Sequence, residues 1–203
     1  MRTLTSFSLF IILSLTACQE NKNQESNDKK SSNTSNIPSE TTDSISSIDS
    51  TLIVRENFNR INAIKDWDSI DSANIHESTE GGIAKYYIKN NVLELIKVRN
   101  YGEGGYTLED FYLKDGKMSF AFEQIYRYNT HFIDPKFDIS KTQKFAEVRY
   151  YYFDDSLFNI TSSDKETEKY YREDKQVEKE QRTMFDKLLK IKANGYDATG
   201  ISE

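Results

Sequence analysis

The chain has a single cysteine, Cys18, among 203 residues. No intramolecular disulfide can form, and the body of the protein has no thiolate zinc site or cysteine nucleophile. A domain without disulfides rests on its apolar core, and a folded part of about 150 residues is long enough to bury one. Histidine is nearly as scarce, with only His76 and His131, both in presumed loops and without metal-ligand spacing. Neither a cofactor nor a metal site is therefore expected, and no Ser-His-Asp arrangement is recognisable. There is no excess of positive charge. Lys and Arg total 27 against 33 Asp and Glu, a net charge of −6 with the two signs mixed, so the basic stripe of a nucleic-acid binder is missing. The apolar run Leu4–Leu15 is too short and too close to the terminus for a stop-transfer helix.

That run follows Arg2 and ends in Leu15-Thr16-Ala17-Cys18. The arrangement resembles the lipobox of bacterial lipoproteins, in which small residues suit the signal peptidase and the cysteine thiol accepts diacylglycerol. Residues 1–17 then form a signal peptide and Cys18 carries the lipid. Gln19 is not Asp, and by resemblance to the enterobacterial sorting rule this favours the outer membrane. From Gln19 to about Ser50 the chain is polar, without aromatics, and too poor in apolar surface to offset its ordering entropy. Residues 18–50 are read as a disordered tether of roughly 30 Å root-mean-square span, and residues 51–203 as one folded domain.

The domain is organised around Phe111-Tyr112-Leu113-Lys114-Asp115-Gly116-Lys117-Met118-Ser119-Phe120, which reads as a β-hairpin on an Asp-Gly turn. Residues 86–93 and 151–158 repeat the design, so three hairpins in one antiparallel meander of about six strands are expected. The turns propose a register of Ile88 with Leu93, Tyr86 with Leu95, Leu113 with Met118, Phe111 with Phe120, Phe153 with Phe158 and Tyr151 with Ile160. One face then carries these residues with Phe122 and Phe145 as a core, and the other is wet. Lys89, paired with Val92, falls on that wet face. A helix starting at Ser50 or Thr51 places Val54, Phe58, Ile61 and Ile64 on one stripe. A long C-terminal helix from about Ser163 to Asn194 is striped by Tyr170, Val177, Met184, Leu188 and Ile191 and stops at Gly195. The economical packing sets at least one helix on the apolar sheet face, an α+β domain. Asn100–Gly105 and residues 129–143 are expected as the two longer loops of the meander. The first lacks the Lys-Ser/Thr of a phosphate loop.

Thr79-Glu80-Gly81-Gly82, Tyr101-Gly102-Glu103, Phe111–Lys117 and Tyr128-Asn129, taken in order, resemble small uncharacterised lipoproteins of Gram-negative envelopes over about residues 58–165. The resemblance implies an envelope location and a fold, and brings no catalytic residues. The favoured expectation is a lipid-anchored, non-catalytic domain that binds an envelope protein or glycan. A narrower form is an inhibitor or accessory protein of an envelope hydrolase. A third reading is a small hydrolase in which Glu103 works with Glu109 or Asp110, as paired carboxylates do at about 5–9 Å. The candidate binding face is the wet side of the sheet. There Tyr87, Tyr112 and Tyr152 take equivalent places in the three hairpins, with Lys85, Lys114 and Glu123 nearby. Such tyrosines either pack across strands against lysine stems or form a platform for a sugar or peptide.

Overall fold

The structure is a computed structural model that describes residues 41–76, 78–174 and 176–201, with the backbone alone for 41–49. The chain divides into Met1–Pro38 and Ser39–Glu203, and the described residues all lie in the second unit. Cys18, the expected signal peptide and most of the expected tether lie outside the described residues.

Helix α1 spans Thr41–Ala63 and is followed by seven strands: β1 Ser69–Ile75, β2 Gly82–Lys89, β3 Val92–Gly102, β4 Gly105–Lys114, β5 Lys117–Arg127, β6 Gln143–Phe153 and β7 Ser156–Ser162. Helices α2 (Lys165–Glu173) and α3 (Gln176–Ala193) close the chain. The strands form one antiparallel sheet in sequence order, a pure meander. The expected α+β meander is therefore present, with seven strands in place of six. The extra strand, β1, has a weak apolar pattern in which only Ala73 and Ile75 are buried. The Gly-rich stretch expected as a loop is a tight turn: β3 runs through Gly102, β4 starts at Gly105, and Gly102 pairs with Gly105.

Three turns have both central residues at positive φ: Asn90 and Asn91, Asp115 and Gly116, Asp154 and Asp155. This is the backbone that two-residue hairpin turns require. Each hairpin then shifts register one step from its turn. Tyr87 pairs with Leu95 but Ile88 with Leu93; Tyr112 with Phe120 but Leu113 with Met118; Tyr151 with Asn159 but Tyr152 with Leu157. Glu94, Ser119 and Phe158 are the extra residues of three β-bulges. A bulge puts two residues against one, so beyond it every side chain changes face relative to the unbroken register.

The expected pairs Ile88–Leu93, Leu113–Met118 and Lys89–Val92 therefore hold, while those farther from the turns move. Phe111 faces Ala121, Tyr86 faces Ile96 and Tyr150 faces Ile160. Phe153, instead of pairing with Phe158, pairs with Ser156 beside the turn and is exposed. Phe145, expected in the core, is also exposed.

Each face of the sheet carries a helix. On one, Val177, Phe185, Leu188 and Ile191 of α3 pack over Tyr86, Ile96, Phe111, Leu113 and Tyr150, and the Tyr86 hydroxyl donates to the Leu188 carbonyl at 3.1 Å. On the other, Val54, Phe58 and Ile61 of α1 pack on the cross-strand row Tyr87–Leu95–Tyr112–Phe120–Tyr151. Asn57 Nδ2 donates to the Leu113 carbonyl at 3.0 Å, and Arg60 grips the bulged Glu94 with both guanidinium nitrogens at 2.6 and 2.8 Å. A fork-on-carboxylate pair at a bulge fixes the helix along the strand as well as against it.

Two expectations about the helices change. The backbone of α1 is helical from Thr41, ahead of the expected cap at Ser50 or Thr51, because no Gly or Pro interrupts residues 39–63. The C-terminal helix is broken at Asp174, whose backbone is extended and whose side chain accepts from the Gln176 amide at 2.9 Å, starting α3 anew. Tyr170 consequently stays out of the stripe and is exposed. Gly195 does end the helix, with φ +70° and the Tyr196 amide bonded back to the Ile191 carbonyl.

Candidate functional site

The expected tyrosine platform does not form. Tyr112 lies under α1, buried, with its hydroxyl donating to Asn62 Oδ1 at 3.3 Å. Tyr152 is on the opposite face, buried with the α3 core. The true equivalent of Tyr87 and Tyr112 in the third hairpin is Tyr151, one residue earlier, and that row is the floor on which α1 sits. Glu123 also changes face: it points to the α3 side and accepts from the Tyr150 hydroxyl at 2.8 Å. Lys85 stays on the α1 side, cross-strand from Lys97, and Lys114 stands at the end of β4 beside Asp115.

The three carboxylates considered for hydrolysis do not converge. Glu109 and Asp110 are consecutive on β4 and so lie on opposite faces. Asp110 pairs with Lys97 at 2.8 Å. Glu103, at the β3–β4 turn, bonds His131 Nε2 at 2.8 Å, and its carbonyl accepts from the Phe132 amide. Both bonds clasp the β5–β6 connection to that turn.

Sequence reasoning did not find the carboxylate that Glu109 meets. Glu109 pairs across the strands with Glu123, in the middle of the otherwise mostly apolar row Ala84–Val98–Glu109–Glu123–Val148. Asn100 Nδ2 and Thr107 Oγ1 donate to Glu109 Oε1 at 2.9 and 3.3 Å. Burial pushes the Glu109 carboxyl up to about 7, with the Glu123 charge adding to the rise. Burial also raises Glu123 against the opposing hydrogen bond from Tyr150. Two neighbouring carboxyls in a dry place each make the other harder to ionise. With Glu109 only 8 % exposed, the pair is a structural group of the core.

The α1-side face continues past the helix, and there it is uncovered. Its next rows are Lys85–Lys97–Asp110–Phe122–Arg149, then Arg99–Leu108–Gln124–Glu147, then Tyr101–Tyr106–Tyr126–Lys144. The last row is built for ring contact. Tyr106 and Tyr126 stack with centroids 4.6 Å apart and planes 14° apart. The Arg99 guanidinium lies 4.3 Å over the Tyr106 ring and 5.0 Å over Tyr101, and Lys144 stands 5.8 Å from the Tyr126 ring. Gly105 lets the β4 backbone come close to β5 beside this stack, because a Cβ there would run into the Tyr126 carbonyl oxygen.

Beside this row, the β5–β6 connection folds into an ordered flap. Asn129 bonds the Lys136 carbonyl and the Asp138 amide at 2.9 and 3.0 Å, and Tyr128 packs edge-on to Phe137 at 5.2 Å. Between flap and sheet lies an open cleft of about 510 Å³, lined by Arg127, Tyr128, Asn129 and residues 140–145. Among these are Arg127, Lys141 and Lys144, and no carboxylate. Lys144 and Tyr128 belong to both the cleft and the tyrosine cluster, since Tyr128 also contacts Tyr106 at 6.2 Å. Phe132, Ile133 and Ile139 of the flap are exposed.

Among the described residues, no group of three or more His, Cys, Asp or Glu is placed to hold a metal ion, and no helix is long and apolar enough to cross a membrane. Comparisons with family models, curated proteins and solved structures give no match.

Proposed function

We propose that the protein is a lipid-anchored lipoprotein of the outer membrane whose domain binds a glycan or protein of the envelope without catalysis. The anchor rests on Leu15-Thr16-Ala17-Cys18 after its apolar run. The observation that carries the binding function is the uncovered Tyr101–Tyr106–Tyr126–Lys144 row with Arg99 over its rings. Tyrosines held by cross-strand pairing offer rigid amphipathic area at little entropic cost, and binding surfaces favour such residues together with arginine. The hydrolase reading loses its support, since Glu103, Glu109 and Asp110 serve separate structural roles.

Two experiments test the proposal. Cys18→Ser should leave an uncleaved precursor or a protein that repeated dilution washes strip from membranes, because each buried acyl methylene contributes about 0.8 kcal/mol to anchoring. A variant at the mature mass that stays in membranes through those washes, as the parent does, contradicts the anchor. The full chain carrying Cys18→Ser should bind isolated envelopes saturably. Adding Tyr106→Ser and Tyr126→Ser should weaken that binding about tenfold, the loss expected when two ring contacts of about 0.7 kcal/mol each are removed. Unchanged binding by the tyrosine variant at an unchanged melting temperature would remove this surface from the account.

A further inference from the structure

We infer that the flap between β5 and β6 rests on a lipid surface, with Phe132, Ile133 and Ile139 set into the bilayer that holds the Cys18 anchor. This inference rests on the proposed anchor and adds a second, side-chain contact with the membrane.

The flap exposes large apolar residues as no other described element does. Ile133 is 74 % exposed, the highest value among them, and Ile139 and Phe132 are 60 and 43 % exposed. Elsewhere such residues occur one or two to an element. The exposure is built in. Tyr128 and Phe137 pack together at 5.2 Å, the Phe132 ring stacks on His131 at 5.0 Å, and Asn129 braces the backbone on both sides of Phe137. The acids of this stretch are spent within it. Asp134 and Asp138 accept from the amides of Lys136 and Ser140 at 2.7 and 3.0 Å, and the adjoining Glu103 bonds His131. From His131 to Lys141 the exposed positions are therefore the three large apolar residues, Pro135, Ser140, Lys136 and Lys141, without a carboxylate. Lys141 pairs with Asp138 at 3.4 Å, and Lys136 has no carboxylate partner among the described residues. Apolar side chains flanked by lysines suit the headgroup boundary, where the stem lies along the lipid and the amine stays at the phosphates.

The flap joins the ends of β5 and β6 away from the three two-residue turns, which lie about 35 Å off along the 11-residue strand. Thr41 is 23 residues beyond Cys18, so the described domain begins no more than about 80 Å from the proposed lipid. Held within that range, a few weak side-chain contacts with the bilayer gain from their high effective concentration. A protein partner fits less well, since a stable interface buries about 800 Å² on each side, more than three side chains offer. Contact through the flap sets the pose of the domain, with the flap end toward lipid and the hairpin turns away from it.

The test uses the full-length protein carrying Ile133→Cys or Lys114→Cys, reconstituted in vesicles of phosphatidylethanolamine and phosphatidylglycerol. Cys18 is the only native cysteine and acylation blocks its thiol, so an environment-sensitive fluorophore attaches at the new position alone. The label at 133 should shift its emission to the blue and be quenched by lipid that carries a nitroxide on its acyl chain. The label at 114, at the far turn, should do neither. Adding Phe132→Ser and Ile139→Ser should cut the quenching at 133 by about half or more. Lys136→Glu alone, at an exposed position, should act in the same direction if the double variant melts below the parent. Equal quenching at both positions, no quenching at 133, or quenching indifferent to these substitutions would overturn the inference. A label at 133 that is shielded in isolated envelopes but not in pure lipid assigns the flap to a protein partner and overturns it as well. The mass of the purified protein reports the anchor separately. A chain acylated at Cys18 without contact at 133 leaves the anchor standing, and an unacylated chain removes both.

Discussion

Glu109→Gln should stabilise the protein at pH 8 and leave it nearly unchanged at pH 4. In the folded state burial and the neighbouring Glu123 push the Glu109 carboxyl up to about 7, whereas an unfolded glutamate titrates near 4.3. Between these values the folded chain holds a proton that the unfolded chain has released. Stability from this group is therefore fully present below about pH 4.3 and is lost as pH rises through about 7. A shift of roughly 2.5 units corresponds to about 3 kcal/mol at most. Glutamine keeps the acceptor oxygen for Asn100 and Thr107 and never ionises, so it removes the share of the slope that Glu109 contributes. The expected result is a wild-type melting temperature that falls from pH 5 to pH 8 and a variant that falls less, with a gap at pH 8 of several degrees. Parallel pH profiles for the two proteins would show that Glu109 titrates as an ordinary surface acid.

Phe111→Ala and Tyr112→Ala, at consecutive positions of one strand, should both be severe. In a sheet wet on one side, one of two neighbours points to water and its truncation costs little. Here Phe111 is fully buried against Phe185 of α3, with ring centroids 6.0 Å apart. Tyr112 is 3 % exposed and contacts Phe58 of α1 at 4.9 Å and Phe120 at 5.7 Å. Each truncation removes a large ring from a packed site, and about 3–5 kcal/mol is expected for each in chemical denaturation. Lys114→Ala, at the exposed end of the same strand, should cost under about 0.5 kcal/mol. A Tyr112→Ala loss as small as that of Lys114→Ala would mean that α1 does not cover the sheet.

The same strand shows how much could be read in advance. The three hairpins and their turns were legible because Asn-Asn, Asp-Gly and Asp-Asp fall between apolar runs, and a backbone at positive φ selects such residues. The helix stripe of Val54, Phe58 and Ile61 was legible from its spacing. The faces were not, because a bulge at Glu94, Ser119 or Phe158 leaves no compositional mark and yet inverts all that follows it. Aligning the third hairpin on its Asp154-Asp155 turn would have matched Tyr151, rather than Tyr152, to Tyr87 and Tyr112. A sheet buried on both faces also hides its alternation, since tyrosines serve as core on either side. The aromatic surface was missed for a related reason. Arg99, Tyr101, Tyr106, Tyr126 and Lys144 are scattered in sequence, and only the register of four strands sets them in adjoining rows.

The central claim is that the uncovered part of the α1-side sheet face meets the ligand. The most direct measurement is photo-crosslinking in intact cells, with a photoreactive amino acid replacing Leu108, between Arg99 and Gln124 on that face, or Lys114 at the far turn. Position 108 should yield a discrete adduct, and position 114 should yield none. The same adducts at both positions, or none at 108 in a protein that melts as the parent does, would contradict the claim.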